Sequence, residues 1–575
     1  MFRFPLDGNR DISIVLCGAA GQGVQTIEEI LVDSLKRAGF NIFASREYMS
    51  RVRGGNNSTE IRVSSERVNA LVDRIDILLP LNGGIRPNIR KRISKDTVII
   101  GDIEELKDEL RDSGGNFLNV PLMEKGRESG GAVYTGVVAA GLVAGLLDIP
   151  EGLLKSYIER KFSSRSQDIV MNNVTALAKG RSLARDFIDS GDIEVDIPVS
   201  DPDQSEIVIN GSDAVALGAL AGGCDFIASY PMSPATGVLT FLAGHAREFG
   251  VAVEQAEDEI AAINMAVGSS YGGARSMVST SGGGLSLMSE GVSLAGITEV
   301  PVVLHIGQRP GPATGMATRT EQGDLNLALF CGHGDIQRAV FAPGSLEQAF
   351  RLSREAFNLA AEFHIPVFIL TDQYFLNSYY NIPEFDLSDF RVERHLVEAV
   401  PGYMRYEDTP GGVSPRSVPG FGEELVGADS HEHDEVGHVQ EDFDLRPRMV
   451  DKRQRKMRGI EEKTISPLLE GPDDYANLVV SWGSTYHIVR EAVERSGLKN
   501  TAHLHFDQVF PLHPDTLLFL KKARKVAAVE GNATGQFADL IRRETGFLIE
   551  ERILRYSGLQ MSVESVTEDL LQRLG

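Results

Sequence analysis

The apolar positions of this chain alternate between two rhythms. Short runs such as Ile12-Ser13-Ile14-Val15-Leu16-Cys17 read as buried strands, and stretches with apolar residues three and four apart, such as Ile27 to Ala38, read as amphipathic helices. Strands near Ile75–Leu79 and Thr97–Ile100, with helices over Val137–Leu147 and Glu151–Lys161, carry the pattern to about residue 190. Asp189 to Asp203, acidic and carrying Pro198 and Pro202, reads as a linker. The rhythm resumes with a strand at Ile207–Ile209, a helix from Gly211 to Ala221 and a strand over Asp225–Tyr230. A helix bearing Val238, Leu239, Phe241 and Leu242, a strand at Ala252–Glu254 and an Ala/Gly-rich helix from Ala261 to Gly268 come next. Strands Ser276–Ser279, Val300–His305 and Ile365–Leu370 follow at helix-length spacing. Such alternation predicts an α/β protein of several doubly wound parallel sheets. Residues 386–465 break the pattern as an irregular connecting segment, and 466–575 restore it with strands at Asn477–Thr485 and Val526–Glu530. The expected domains are therefore 1–190, a linker at 191–204, 205–385, the segment 386–465, and 466–575.

Length and charge narrow the class. At 575 residues the chain exceeds one hydrophobic core, and a net charge of −24 excludes polyanion partners such as nucleic acid or an anionic membrane surface. No apolar run approaches a membrane span and the first residues lack a signal-type core, so a cytoplasmic location is expected. The three cysteines, Cys17, Cys224 and Cys331, lie far apart in apolar surroundings, which leaves no ligand set for an iron–sulfur cluster on this chain.

Candidate chemistry concentrates after the central strands. Tyr230-Pro231-Met232-Ser233-Pro234 follows one strand, with Ser233 expected to cap a helix whose first residue is Pro234. The acidic run Glu254 to Glu259 follows the next. Thr280-Ser281-Gly282-Gly283-Gly284 is a strand-to-helix turn through which backbone amides can approach an anion, and Gln308-Arg309 places a two-pronged donor on the same sheet edge. Arg319 is an alternative to Arg309. Near the N-terminus, Gly18 to Gly23 is a Gly-x-x-Gly-x-Gly turn, reversed from the dinucleotide fingerprint, and Arg51-Val52-Arg53-Gly54-Gly55 is a basic loop. Cys331-Gly332-His333-Gly334-Asp335 lacks the second glycine of a Gly-Asp-Gly motif and reads as a loop. The histidines 431, 433 and 438 lack helical spacing, so no metal site is expected here.

Tyr-Pro-x-Ser-Pro, Glu-Asp-Glu-x-Ala-Ala, Thr-Ser-Gly-Gly-Gly and Gln-Arg, in this order, resemble the pyrimidine-binding domain of 2-oxoacid:ferredoxin oxidoreductases. The likeness spans nearly the whole chain and is closer to the 2-oxoglutarate type of α subunit with a γ domain fused at its N-terminus; residues 466–575 resemble a transketolase C-terminal-like domain. The resemblance implies thiamin diphosphate shared with a β subunit that also carries Mg²⁺ and a [4Fe-4S] cluster, coenzyme A as cosubstrate, ferredoxin as acceptor and an (αβ)₂ hetero-oligomer. It implies Glu259 as the acid behind the pyrimidine ring, with Glu257 the alternative, and Ser233 and Arg309 orienting the 2-oxo acid. Tyr230, Pro231, Met232, Ser281 and Gly282 would line the cofactor, and Gly21, Gln22, Gly23, Arg51 and Arg53 would meet coenzyme A. Pyruvate, branched-chain 2-oxo acids and indolepyruvate stay open as substrates beside 2-oxoglutarate, as does a non-catalytic capping role.

Overall fold

The structure is a computed structural model that describes residues 2–6, 9–19, 22–49, 55–110, 113–199, 205–388 and 391–575. Two compact units divide it: residues 1–209 with 377–384, and residues 210–376 with 385–575.

In the first unit, continuous apolar runs make fully buried strands. Asp11–Ala19 lies centrally in an eight-stranded sheet, parallel to Ile77–Pro80 and antiparallel to Asn56–Ser64. Val98–Gly101 and Asn116–Asn119 extend the parallel half. The helices Val24–Arg37, Thr135–Leu146, Glu151–Lys161 and Gln167–Asp189 cover the core, whose Ala- and Gly-rich segments allow close helix contact. At Gly141 an added Cβ would meet the Leu177 carbonyl oxygen at 2.2 Å.

Three expectations change here. The presumed linker contains a strand, Ile193–Val195, parallel to Phe2–Phe4. The strand Glu206–Asn210, expected to begin the central domain, joins the edge of this first sheet. Ser378–Pro383, placed within 205–385 by sequence, pairs antiparallel with Asn41–Glu47, and Asn381 Oδ1 accepts the Ile42 N–H at 3.0 Å. These pairings join residues up to more than 300 positions apart, a distance no local periodicity reports.

The second unit holds two sheets around one continuous core. The larger has seven strands in the order Ala252–Gln255, Phe226–Ser229, Ser276–Thr280, Val302–Gln308, Pro366–Asp372, Ala339–Phe341 and Gln508–Phe510, of which only the last is antiparallel among the described pairs. Ala228, Val278, Leu304 and Ile306 face the core shared with the smaller sheet, while Ile227, Met277 and Val303 face the opposite way. The smaller sheet is Leu468–Glu470, Thr501–Phe506, Asn477–Trp482, Lys525–Glu530 and Glu551–Leu554. A segment without regular structure precedes the helix Leu445–Glu462, and within it His433 is buried against Tyr406, its Nδ1 donating to the His431 carbonyl at 2.9 Å. Among the described residues no helix is long and apolar enough to cross a membrane.

Candidate functional site

The strand Phe226–Ser229 has its sequence successor Ala252–Gln255 on one side and Ser276–Thr280 on the other. Chain order reverses at this point, and the crevice beyond the carboxyl ends of such strands is where open parallel sheets take ligands.

Glu259 enters that crevice because of its neighbour. Asp258 caps the helix Glu259–Tyr271, its Oδ1 accepting the Ala261 N–H at 2.7 Å, and the first helical residue turns inward. Glu259 is 3% exposed and its Oε1 has no hydrogen-bond partner. Burial raises its carboxyl above the usual range; a backbone amide and the charge of Arg309 pull the other way. Glu257, the alternative, is exposed.

The glycine turn leaves room beside this acid. A Cβ at Gly284 would lie 2.8 Å from Glu259 Oε1 and 1.9 Å from Thr280 Oγ1, and that hydroxyl is also buried without a partner. Ser281 precedes the short helix Gly282–Leu287, but its hydroxyl donates to the Met232 sulfur, tying the two turns together. Tyr230 is 41% exposed and Pro231 is exposed beside it.

Ser233 does not cap a helix. The helix after this turn starts at Thr236, preceded by Ala235 in helical conformation, so Ser233 and Pro234 belong to a tight turn one step earlier. Its carbonyl accepts Arg309 Nη1 at 2.6 Å. The turn rests on Gly307, where a Cβ would press on the Ala235 nitrogen and Pro234 Cγ at 3.1 Å. Arg319 packs against Gly558.

Sequence reasoning missed Asp324. Its carboxylate lies where a Cβ of Gly282 would be, 2.2 Å from Oδ1, and Oδ2 is buried without a partner. Burial pushes this carboxyl up to about 7, with Glu321 adding to the rise and Arg309 opposing it. Its N–H donates to Gln308 Oε1 at 3.0 Å. The only sequence signal was an aspartate just before the apolar helix Leu325–Phe330. The loop carrying it is clamped to the smaller sheet: Gln322 Nε2 donates to the Trp482 carbonyl at 2.8 Å, Gly531 N–H donates to Gln322 Oε1 at 2.8 Å, and Gln536 Nε2 donates to the Gly323 carbonyl at 2.9 Å.

In the first unit, Gly23 takes a left-handed φ of 76° immediately before the helix Val24–Arg37, a conformation suited to glycine. Gln22 Oε1 accepts the Ala19 N–H at 2.8 Å. Gly21, Arg51 and Arg53 lie outside the described residues.

Residues 13–183 match the family model described as "Pyruvate ferredoxin/flavodoxin oxidoreductase", and residues 217–452 match "Pyruvate flavodoxin/ferredoxin oxidoreductase, thiamine diP-bdg". The chain is 31% identical to 2-oxoacid:ferredoxin oxidoreductase 2, subunit alpha, of Aeropyrum pernix over 95% of each chain. It is 30% identical to 2-oxoglutarate oxidoreductase subunit KorA of Mycobacterium tuberculosis over 92% of this chain and 87% of that one. A solved 2-oxoglutarate:ferredoxin oxidoreductase from Magnetococcus marinus, with 2-oxoglutarate, coenzyme A and succinyl-CoA bound, is 30% identical with a TM-score of 0.90, covering 99% of this chain and 100% of that chain.

Proposed function

Because the chain belongs to the 2-oxoacid:ferredoxin oxidoreductase family, we propose that it is the α-type subunit of an enzyme that oxidatively decarboxylates 2-oxoglutarate, passes the acyl group to coenzyme A and delivers electrons to ferredoxin. The observation that carries this reading is Glu259, a buried acid with an unused oxygen at the switch point of a parallel sheet.

The residues fit the pyrimidine half of thiamin diphosphate. Glu259 Oε1 needs a partner, Gly284 keeps the space beside it clear, and Met232 and Ser281 wall the crevice. When bound, thiamin diphosphate supplies the carbon nucleophile that attacks the 2-oxo carbon. Glu259 would exchange a proton with a ring nitrogen, a task suited to a carboxyl raised by burial. Arg309 would meet the carboxylate of the 2-oxo acid while fixing the Ser233 carbonyl, and the Ser233 hydroxyl would meet the substrate oxygen. Gln22 and Gly23 would contribute to coenzyme A binding in the first unit.

A [4Fe-4S] cluster needs four ligands and this chain has three dispersed cysteines, so the cluster is assigned to a β subunit, with the Mg²⁺ that holds the diphosphate. We read the assembly as an (αβ)₂ hetero-oligomer of the cytoplasm, in keeping with three buried, unpaired thiols.

The test is turnover of the co-expressed complex with coenzyme A, ferredoxin and a panel of 2-oxoglutarate, pyruvate, a branched-chain 2-oxo acid and indolepyruvate. 2-Oxoglutarate should lead in kcat/KM by about tenfold or more, the scale of a site built around a second carboxylate. A lead for pyruvate overturns the substrate, and turnover by this chain alone overturns the shared site.

A further inference from the structure

A polar row crosses the aliphatic sheet of the second unit under the Pro231–Ala235 turn. Ser279 lies opposite His305 in register on the neighbouring strand, and Thr371 lies on the strand beyond. Ser279 Oγ and His305 Nδ1 are 2.8 Å apart, and His305 Nε2 and Thr371 Oγ1 are 2.8 Å apart. At the other end the Ser279 N–H donates to Ser229 Oγ at 3.0 Å. All four residues are buried, among Ile227, Met277, Val303, Val367 and Ile369 on the same face.

A desolvated imidazole stays neutral, so one ring nitrogen must donate and the other accept. The hydroxyl at each end has a carbonyl to donate to, and the shorter of the two contacts favours one sense. Ser279 Oγ reaches the Ala235 carbonyl at 3.2 Å, whereas the competing outlet, Thr371 Oγ1 to the Ile306 carbonyl, is stretched to 3.4 Å. If Ser279 donates to Ala235, it must accept from His305 Nδ1–H, and Nε2 then accepts from Thr371. Every bond in the row points toward the turn, an arrangement in which each strengthens the next.

We propose that His305 is a positioning residue: in its Nδ1–H tautomer it fixes the Ser279 hydroxyl, which holds the Ala235 carbonyl and keeps the Ser233 turn in place against Arg309. The proposal rests on the reading that this turn receives the 2-oxo acid. Aliphatic side chains could fill the same row without cost to the core, whereas a polar row must be fully satisfied. What the polar row adds is a directional tie between sheet and turn.

The experiment uses the assembled oxidoreductase and the pair Ser279→Ala and Ser279→Thr. Ser279→Ala removes the tie but keeps the backbone N–H bond to Ser229. It should raise KM for the 2-oxo acid about fivefold, the scale of one neutral hydrogen bond, with kcat held within about twofold. Ser279→Thr restores the hydroxyl and should restore KM. With ¹⁵N-histidine labelling, and His305→Gln to assign the signal, the Nδ1 resonance should be of the protonated type and Nε2 of the acceptor type. The reverse tautomer overturns the proposal, as does a Ser279→Ala enzyme with wild-type KM and only a lowered melting temperature. Ser233→Ala and Arg309→Lys separate the two levels: if they raise KM and Ser279→Ala does not, the proposal fails alone. If neither raises KM, the substrate reading of the turn fails with it.

Discussion

Two glutamates of the second unit stand where a parallel strand gives way to a helix, one at each sheet. Glu530 ends the strand Lys525–Glu530 and reaches the start of the helix Gln536–Thr545; Glu259 follows the strand Ala252–Gln255 and starts the helix Glu259–Tyr271. Burial pushes both carboxyls above their usual range. The Glu530 oxygens are consumed: Oε1 accepts Ala538 N–H at 2.9 Å, and Oε2 accepts Phe537 N–H at 2.9 Å, Asn532 Nδ2 at 2.9 Å and Trp482 Nε1 at 3.3 Å. Asn532 completes the turn by accepting from Gly535 N–H at 2.7 Å. Glu259 retains an oxygen that nothing meets. An acid at a helix start is therefore architecture when its lone pairs are spent within the chain, and a candidate for chemistry when one is kept back.

The same substitution at both positions separates these roles most widely. Glu259→Gln keeps size and burial but removes the titrating proton, so turnover of the complex should fall by about a hundredfold to ten-thousandfold while the melting temperature holds. Turnover within tenfold of wild type would show that the unused oxygen of Glu259 does not carry the chemistry. Glu530→Gln should do the reverse. An amide now faces donors that had a carboxylate, which should cost about 3 kcal/mol of stability in denaturant unfolding, with turnover per folded molecule near wild type.

Acid should also treat the two sheets differently. His487, His503 and His505 are buried around Ser481 and Tyr486 at the smaller sheet, and burial holds all three below the ordinary imidazole range. In the unfolded chain such histidines take up protons near pH 6.5, before the folded chain does. Their stabilisation is whole above that pH and is lost as pH falls toward the folded values. At pH 5.5 a histidine held well below its ordinary range, as His487 and His505 are, costs the fold about 1.4 kcal/mol, and His503 acts in the same sense with Glu470 opposing it. The larger sheet has His305, held down to about 3 by burial, but its edge also carries Asp324, pushed up to about 7. Asp324 and Glu259 take up protons in the fold before the unfolded chain does, so acid favours the fold there and offsets His305. At the smaller sheet Glu530 acts in the same sense, but as one raised acid against three depressed histidines. Between pH 7.5 and 5.5, hydrogen-exchange protection should fall more in Asn477–Trp482 and Thr501–Phe506 than in Phe226–Ser229 and Ser276–Thr280. His505→Gln should narrow the gap, and equal losses in both sheets argue against this account.

How much of this was readable beforehand depends on the range of each interaction. The helices Glu151–Lys161 and Gly211–Ala221 match the sequence pattern residue for residue, and the central strands differ by one to three residues at their ends, because apolar periodicity and caps are local signals. The residues of the strand Ser378–Pro383 were placed within 205–385, yet the strand pairs with Asn41–Glu47 in the first unit. Residues 386–465 read as an irregular connecting segment, yet the helix Leu445–Glu462 lies within them, and its Lys452 and Lys456, one turn apart, are buried on Glu299 some 150 residues earlier. At the site, the motif residues were visible because strand, turn and helix lie side by side in the chain. Asp324 was not, because what makes it unusual is its packing on Gly282, forty-two positions away.

Glu257 lies two residues from Glu259 in the same acidic run, and composition alone cannot rank them. Asp258 does so physically: by capping the helix with its own side chain it fixes the helical phase, which turns Glu259 inward and leaves Glu257 in water before the first turn. Glu257→Gln should therefore change stability by less than about 0.5 kcal/mol and leave turnover within about twofold. Asp258→Ala, which removes the cap and loosens the phase, should cost about 1 kcal/mol and lower turnover through Glu259. A loss at Glu257→Gln approaching that of Glu259→Gln would mean that burial is not what selects the acting acid, and the contrast with Glu530 would lose its basis.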